Sequence, residues 1–279
     1  MRRLLGGLAF AAGIAAAGAA AAAPSVEIKH AVVRVIVQPE ARADIKVEIV
    51  NANRRLPLRI TTFLGRTYVD GGVMGARVRS CHGPVTQPSA YVLGVGEVTA
   101  AAMPMIVVHT PLQAKVSAAG AVFGQVARGD SLDLVNAGCG DWDVGNVRGK
   151  LKLIATGSGS IHAGQASGAD VMTAGSGGIT LHEISGSVSA ENVGSGDIEI
   201  AGLHGPLNAR IAGSGHVRVA GGHASAMRVS IAGSGDVELL GVADSLSASV
   251  VGSGDVKVAK VTGPISKTVV GSGEVRIGS

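Results

Sequence analysis

Ala232-Gly233-Ser234-Gly235-Asp236-Val237-Glu238-Leu239 decides the fold, because its pattern recurs at a nearly fixed interval. A Gly-Ser-Gly triplet or close variant begins at Gly138 (as Gly-Cys-Gly), Gly157, Gly175, Gly194, Gly213, Gly233, Gly252 and Gly271. The steps are 19, 18, 19, 19, 20, 19 and 19 residues, and a decayed copy, Ala118-Ala119-Gly120, sits one step earlier. Self-similarity at such a period marks a repeat architecture. With each first glycine as column 1, column 5 reads Trp142, Ile161, Ile179, Ile198, Val217, Val237, Val256 and Val275. Column 7 reads Val144, Ala163, Leu181, Ile200, Val219, Leu239, Val258 and Ile277. Column 6, between them, is polar or charged throughout, the period of a strand with one buried face. Column 12 is glycine at Gly149, Gly168, Gly186, Gly205 and Gly263, and column 14 opens a second strand at Leu151, Val188, Leu207, Leu246 and Ile265.

One unit is therefore strand, corner, strand and a Gly-Ser-Gly corner, where glycine supplies the positive φ of tight turns. No unit can bury its own inward face, so the units must stack into a parallel solenoid. At about 4.8 Å per layer, nine layers give a prism roughly 40 Å long. Composition agrees. Of 279 residues 43 are glycine, and only three Phe, two Tyr and one Trp are present. A thin core of Val, Ile, Leu and Ala needs few aromatics. The hydrophobic share of 46% argues against disorder.

These units resemble the bacterial head GIN domain family, whose members are described as heads of autotransporter adhesins and include exported proteins of unknown function. The resemblance implies an all-β, single-stranded right-handed parallel β-helix. It extends to Val26–Val50, similar to the family's opening strands, and to Ile106–Leu112, similar to its lead into the repeats. About 250 residues are covered. The family has no agreed catalytic or binding residues, so none is carried over. An autotransporter also has a C-terminal membrane barrel, whereas this chain stops at Ser279 within its last repeat. Self-secretion by that route is not expected.

Arg2 and Arg3, an apolar Ala-rich stretch from Leu4 to about Gly18, and Ala19–Ala23 have the order of a secretory signal peptide. Cleavage is expected near Ala22. The apolar run is short for a membrane span, and no second one follows, so no transmembrane segment is expected in the mature chain. The organisation read from the sequence is a signal peptide over 1–22, an N-terminal β segment over 23–105 that caps or begins the solenoid, and solenoid repeats over 106–279. Residues 24–111 hold ten Lys and Arg against six acids, whereas residues 112–279 hold twelve against fourteen. No concentrated basic stripe with interleaved aromatics is visible, so nucleic acid is not an expected partner.

Candidate chemistry is sparse. Cys81 and Cys139 lie 58 residues apart, and export permits a disulfide between them; two unpaired thiols are the alternative. Arg54, Arg55, Arg59 and Arg66 cluster in sequence, with Arg77 and Arg79 nearby, and suit phosphate or carboxylate groups of an anionic envelope glycan. A solvated face is the plainer reading of the same residues. Asp236, Asp255 and Glu274 would be adjacent like charges that a cation could relieve, although a turn-forming role explains them more simply. His204 and His223 share column 11 and would lie one layer apart as exposed loop residues. Evenly spaced repeats leave no inserted loops to form a cleft, so no enzyme and no cofactor are expected, and a polysaccharide lyase remains only a fold-level analogy. The sequence thus predicts an exported, non-enzymatic envelope protein, adhesin-like or scaffolding, with a periplasmic module for an anionic ligand as the alternative. The last strand, Val275–Ile277, has no covering segment and predicts self-association through the C-terminal layer.

Overall fold

The computed structural model describes residues 23–278; the expected signal peptide lies outside them. The chain forms an all-β parallel solenoid of about nine turns. One side stacks Ser131–Asn136, Lys150–Ala155, Gly168–Thr173, Val188–Gly194, Leu207–Gly213, Met227–Gly233, Leu246–Gly252 and Ile265–Gly271, each parallel to the next. The opposing side stacks Trp142–Val144, Ile161–Ala163, Ile179–Ile184, Ile198–His204, Val217–Val219, Val237–Ala243, Val256–Val261 and Val275–Ile277. Columns 5 and 7 point inward and are buried from Trp142 to Val258. The 18- and 20-residue copies absorb their length differences at the corners, so Ala169 and Met227 take the inward place that Leu151 and Leu246 hold elsewhere.

The Gly-Ser-Gly corner works differently from a simple positive-φ turn. The first glycine has φ of 127° to 149° at Gly194, Gly213, Gly233, Gly252 and Gly271, but Gly138, Gly157 and Gly175 are not in that region. What all the copies share is closeness. A Cβ on the first glycine would fall 2.0–2.7 Å from the carbonyl oxygen of its counterpart one layer back, and one on the third glycine 2.1–2.2 Å from a backbone carbonyl. That approach lets two amides reach one acceptor: Ser234 and Gly235 both donate to the Gly213 carbonyl, at 3.0 and 3.1 Å, and the arrangement repeats along the corner.

The N-terminal end departs from chain order. Ser25–Glu40 is one long strand that bends at His30 (φ 50°) and contributes to both sides of the solenoid. Val26–Ile28 pair with Val116–Ala118, and Ala31–Val37 with Gly120–Val126. Its other edge is also occupied, by Arg66–Asp70 on one side and Met105–Pro111 on the other. Two antiparallel strands then finish this end, Lys46–Asn51 against Met105–Pro111 and Arg59–Phe63 against Arg66–Asp70.

A second, smaller core lies outside the solenoid wall. The antiparallel strands Val78–His82, Ser89–Val92 and Gly96–Thr99 cover the outward side chains of Val32, Ala121 and Phe123, with Leu56, Val73, Val85 and Met103. Cys81 and Cys139 are joined as a disulfide with Cα atoms 5.7 Å apart. Cys139 occupies the middle position of the first Gly-x-Gly corner, so the bond ties the outer sheet to the repeat ladder.

At the C-terminal end one inward column changes character. It reads Val116, Leu134, Leu153, Val171, Ala190, Ala209, Val229 and Ala248, all buried, and then Lys267. An ammonium in a core column opposes a further layer, because burying it would strip its hydration.

Candidate functional site

The repeats place their outward side chains in straight rows about 4.8 Å apart. Ser158, Ser176, Ser195, Ser214, Ser234, Ser253 and Ser272 stand exposed along the Gly-Ser-Gly corner. Beside them Ala212, Ala232, Val251 and Val270 form an exposed small apolar row, followed by Arg210, Ser230, Ser249 and Thr268 and by Asn208, Arg228, Ser247 and Ser266. Beyond Arg228 this side is flat, short-chained and rich in hydroxyls.

Column 4 is a ladder of acceptors. Asp197 Oδ1 accepts the His216 amide at 2.9 Å, His216 Nδ1 the Asp236 amide at 3.2 Å, Asp236 Oδ1 the Asp255 amide at 2.7 Å, and Asp255 Oδ1 the Glu274 amide at 2.9 Å. The carboxylates thus satisfy the next layer's backbone. Arg276 donates to Glu274 at 2.7 Å, an interaction that raises its pKa, and also lies 3.7 Å from Asp255. Among the described residues no group of three or more His, Cys, Asp and Glu side chains is placed to hold a metal ion.

Between columns 4 and 6 runs a shallow cleft of about 240 Å³ lined by Asp197, Glu199, His216, Arg218, Asp236 and Glu238, among others. Column 6 reads Glu199, Arg218, Glu238, Lys257 and Arg276, and one pair of these opposite charges closes there, Arg218–Glu238 at 3.2 Å. His204 and His223 are register partners, as their shared column requires, and each meets an acid: His204 Nε2 lies 2.8 Å from Glu183 and His223 Nε2 2.7 Å from Asp244.

The sequence cluster of arginines is dispersed. Arg55 donates to the Gly94 carbonyl at 3.0 Å and Arg77 to that of Leu93 at 2.7 and 3.1 Å, so both grip the turn at residues 93–94. Arg59 and Arg66 sit at opposite ends of the 59–70 hairpin, facing Asp70 and Phe63. Arg66 borders a second shallow depression with Ser25, Lys115 and Asp133. Arg54 lies in the turn closed by the Asn53–Leu56 bridge. None of Arg54, Arg55, Arg59, Arg66, Arg77 and Arg79 forms an ion pair among the described residues.

Residues 152–261 and, overlapping them, 204–278 match the family described as "Putative auto-transporter adhesin, head GIN domain". Over residues 152–278 the repeats match the head GIN domain family. The match covers the layers from residue 152 onward and leaves out the first layers at 131–151, the N-terminal cap and the outer sheet. No curated protein matches the chain. No helix among the described residues is long and apolar enough to cross a membrane.

Two features escaped the sequence reading. Phe63 and Leu64 are 69% and 79% exposed at the tip of the capping hairpin; the signal was Leu-Gly where a tight hairpin favours Asn-Gly. Lys267 interrupts an apolar column, visible once that column is aligned through residue 248.

Proposed function

We propose that the chain is an exported, non-enzymatic envelope protein whose head GIN solenoid acts as an adhesin-like or scaffolding surface, binding through its sides rather than in a cleft. The observation that carries this reading is the unbroken register from Leu207–Gly213 to Ile265–Gly271, which sets Ser230, Ser249 and Thr268 in line beside Ser247 and Ser266. A flat array of hydroxyls at a fixed spacing suits a repetitive ligand such as a glycan or another ordered surface, whereas catalysis calls for convergent groups in an enclosed pocket. The family description supports the same direction.

Exposing intact producing cells to protease tests it. Degradation without lysis supports a surface-displayed adhesin; protection until the outer layer is opened overturns that form and favours a periplasmic scaffold. Ser249→Arg with Ser230→Arg projects long charged side chains from the flat side, and adhesion should fall while the β-sheet signal is kept.

A further inference from the structure

We propose that the tip of the capping hairpin, Phe63-Leu64-Gly65-Arg66, docks the N-terminal end of the solenoid onto an anionic lipid bilayer. The two-residue loop has positive φ at both centres, Leu64 at 47° and Gly65 at 76°. Such a turn favours Asn, Asp or Gly at its first centre and penalises Leu. Leu64 therefore sits where local conformation disfavours it, and its side chain gains no burial in return, being 79% exposed beside a 69% exposed Phe63. Neither folding nor solubility explains the pair; insertion into an apolar phase does. The tip is convex, so a bilayer accepts it without a preformed pocket.

The surrounding charge fits the same partner. On the outward face of the hairpin, Phe63 stands directly opposite Arg66, Thr61 opposite Tyr68 and Arg59 opposite Asp70. Arg59 and Arg66 have no ion-pair partner among the described residues, while Asp70 is engaged by the Gly72 amide at 2.8 Å and His30 at 3.5 Å. Lys29 lies over the Tyr68 ring at 5.4 Å, with Glu27 3.7 Å from its ammonium. Two apolar side chains that insert, with Arg66 beside them to meet lipid phosphates and Arg59 at the far end of the same face adding longer-range attraction, combine the two signals that peripheral membrane attachment requires.

Vesicle co-sedimentation of the chain from residue 23 tests this, since the apolar Leu4–Gly18 stretch is then absent. The chain should pellet with phosphatidylethanolamine–phosphatidylglycerol vesicles and much less with phosphatidylcholine alone. Leu64→Asn suits the turn better than Leu and so preserves the hairpin, yet should weaken partitioning roughly tenfold or more, as should Phe63→Thr. Arg66→Gln should weaken it about fivefold on anionic vesicles only. The proposal is overturned if the wild-type chain ignores anionic vesicles, binds neutral ones equally, or if both tip variants bind like wild type with unchanged circular dichroism. Tip variants that alter self-association of a chain indifferent to lipid would assign the tip to a protein contact instead.

Discussion

Gly124 lies directly against Trp142 in the neighbouring layer, and a Cβ at position 124 would come within 2.2 Å of the indole ring. The one tryptophan of the chain fits a core of aliphatic layers because the layer beside it leaves its side chain out. Gly124→Ala should therefore overpack this site, destabilising the fold by about 1–3 kcal/mol. Trp142→Leu in the same chain should restore part of the loss. Urea unfolding of the single and double variants, followed by circular dichroism, measures both.

Replacing Cys81 and Cys139 together by Ser should remove a cross-link spanning 58 residues. The loop-entropy argument puts its stabilisation at roughly 4 kcal/mol. The loss should be local: hydrogen exchange should accelerate in strands 78–82, 89–92 and 96–99, and little in the layers beyond residue 188.

The column 4 ladder makes a specific claim about one carboxylate. Asp255→Ala removes the acceptor for the Glu274 amide and should cost about 1 kcal/mol, with faster exchange at that amide. Asp255→Asn keeps an oxygen in place and should cost less.

The Gly72 amide holds the Asp70 carboxyl below its ordinary 3.8; desolvation works against this, and His30 and the charge of Lys29 add to the lowering. A depressed folded-state pKa stabilises the fold above the unfolded value, and that contribution disappears as pH falls through the folded one. The loop at residues 70–73 should thus loosen only in strong acid. In Asp70→Asn this pH dependence should vanish, as read from Gly72 amide exchange across an acid titration.

Lys267 should act as a stop at the open end. Lys267→Val completes the apolar column and should promote concentration-dependent end-to-end association, seen by sedimentation velocity. Wild-type chains that already associate through Ile265–Gly271 would refute the role given to this lysine and restore the stacking expected from the sequence.

What the sequence disclosed, and what it hid, follows from how information is distributed along the chain. In the repeats each layer sits beside its sequence neighbour, so columns 5 and 7 can be read as a table and the core falls out. The 18- and 20-residue copies shift the inward position by one, which is why Ala169 and Met227 needed coordinates. At the N-terminal end the neighbours of Ser25–Glu40 come from residues 66–70, 105–111 and 116–126, and no local period records such pairings. Arg55 and Arg77 illustrate the same limit. Their hydrogen-bond partners, the carbonyls of Gly94 and Leu93, carry no sequence signature.

The position of Ser25–Glu40 gives the molecule a mechanical polarity. A pull on Val275–Ile277 acts on a strand with one neighbour among the described residues, so layers can peel away singly. A pull on Ser25 acts on a strand held along both edges, between Val26–Ile28's partners at 116–118 and 67–69, so two hydrogen-bond ladders must fail together. A load borne through the N-terminal end would therefore meet the stiffer attachment, and the opposite end would yield first, one layer at a time.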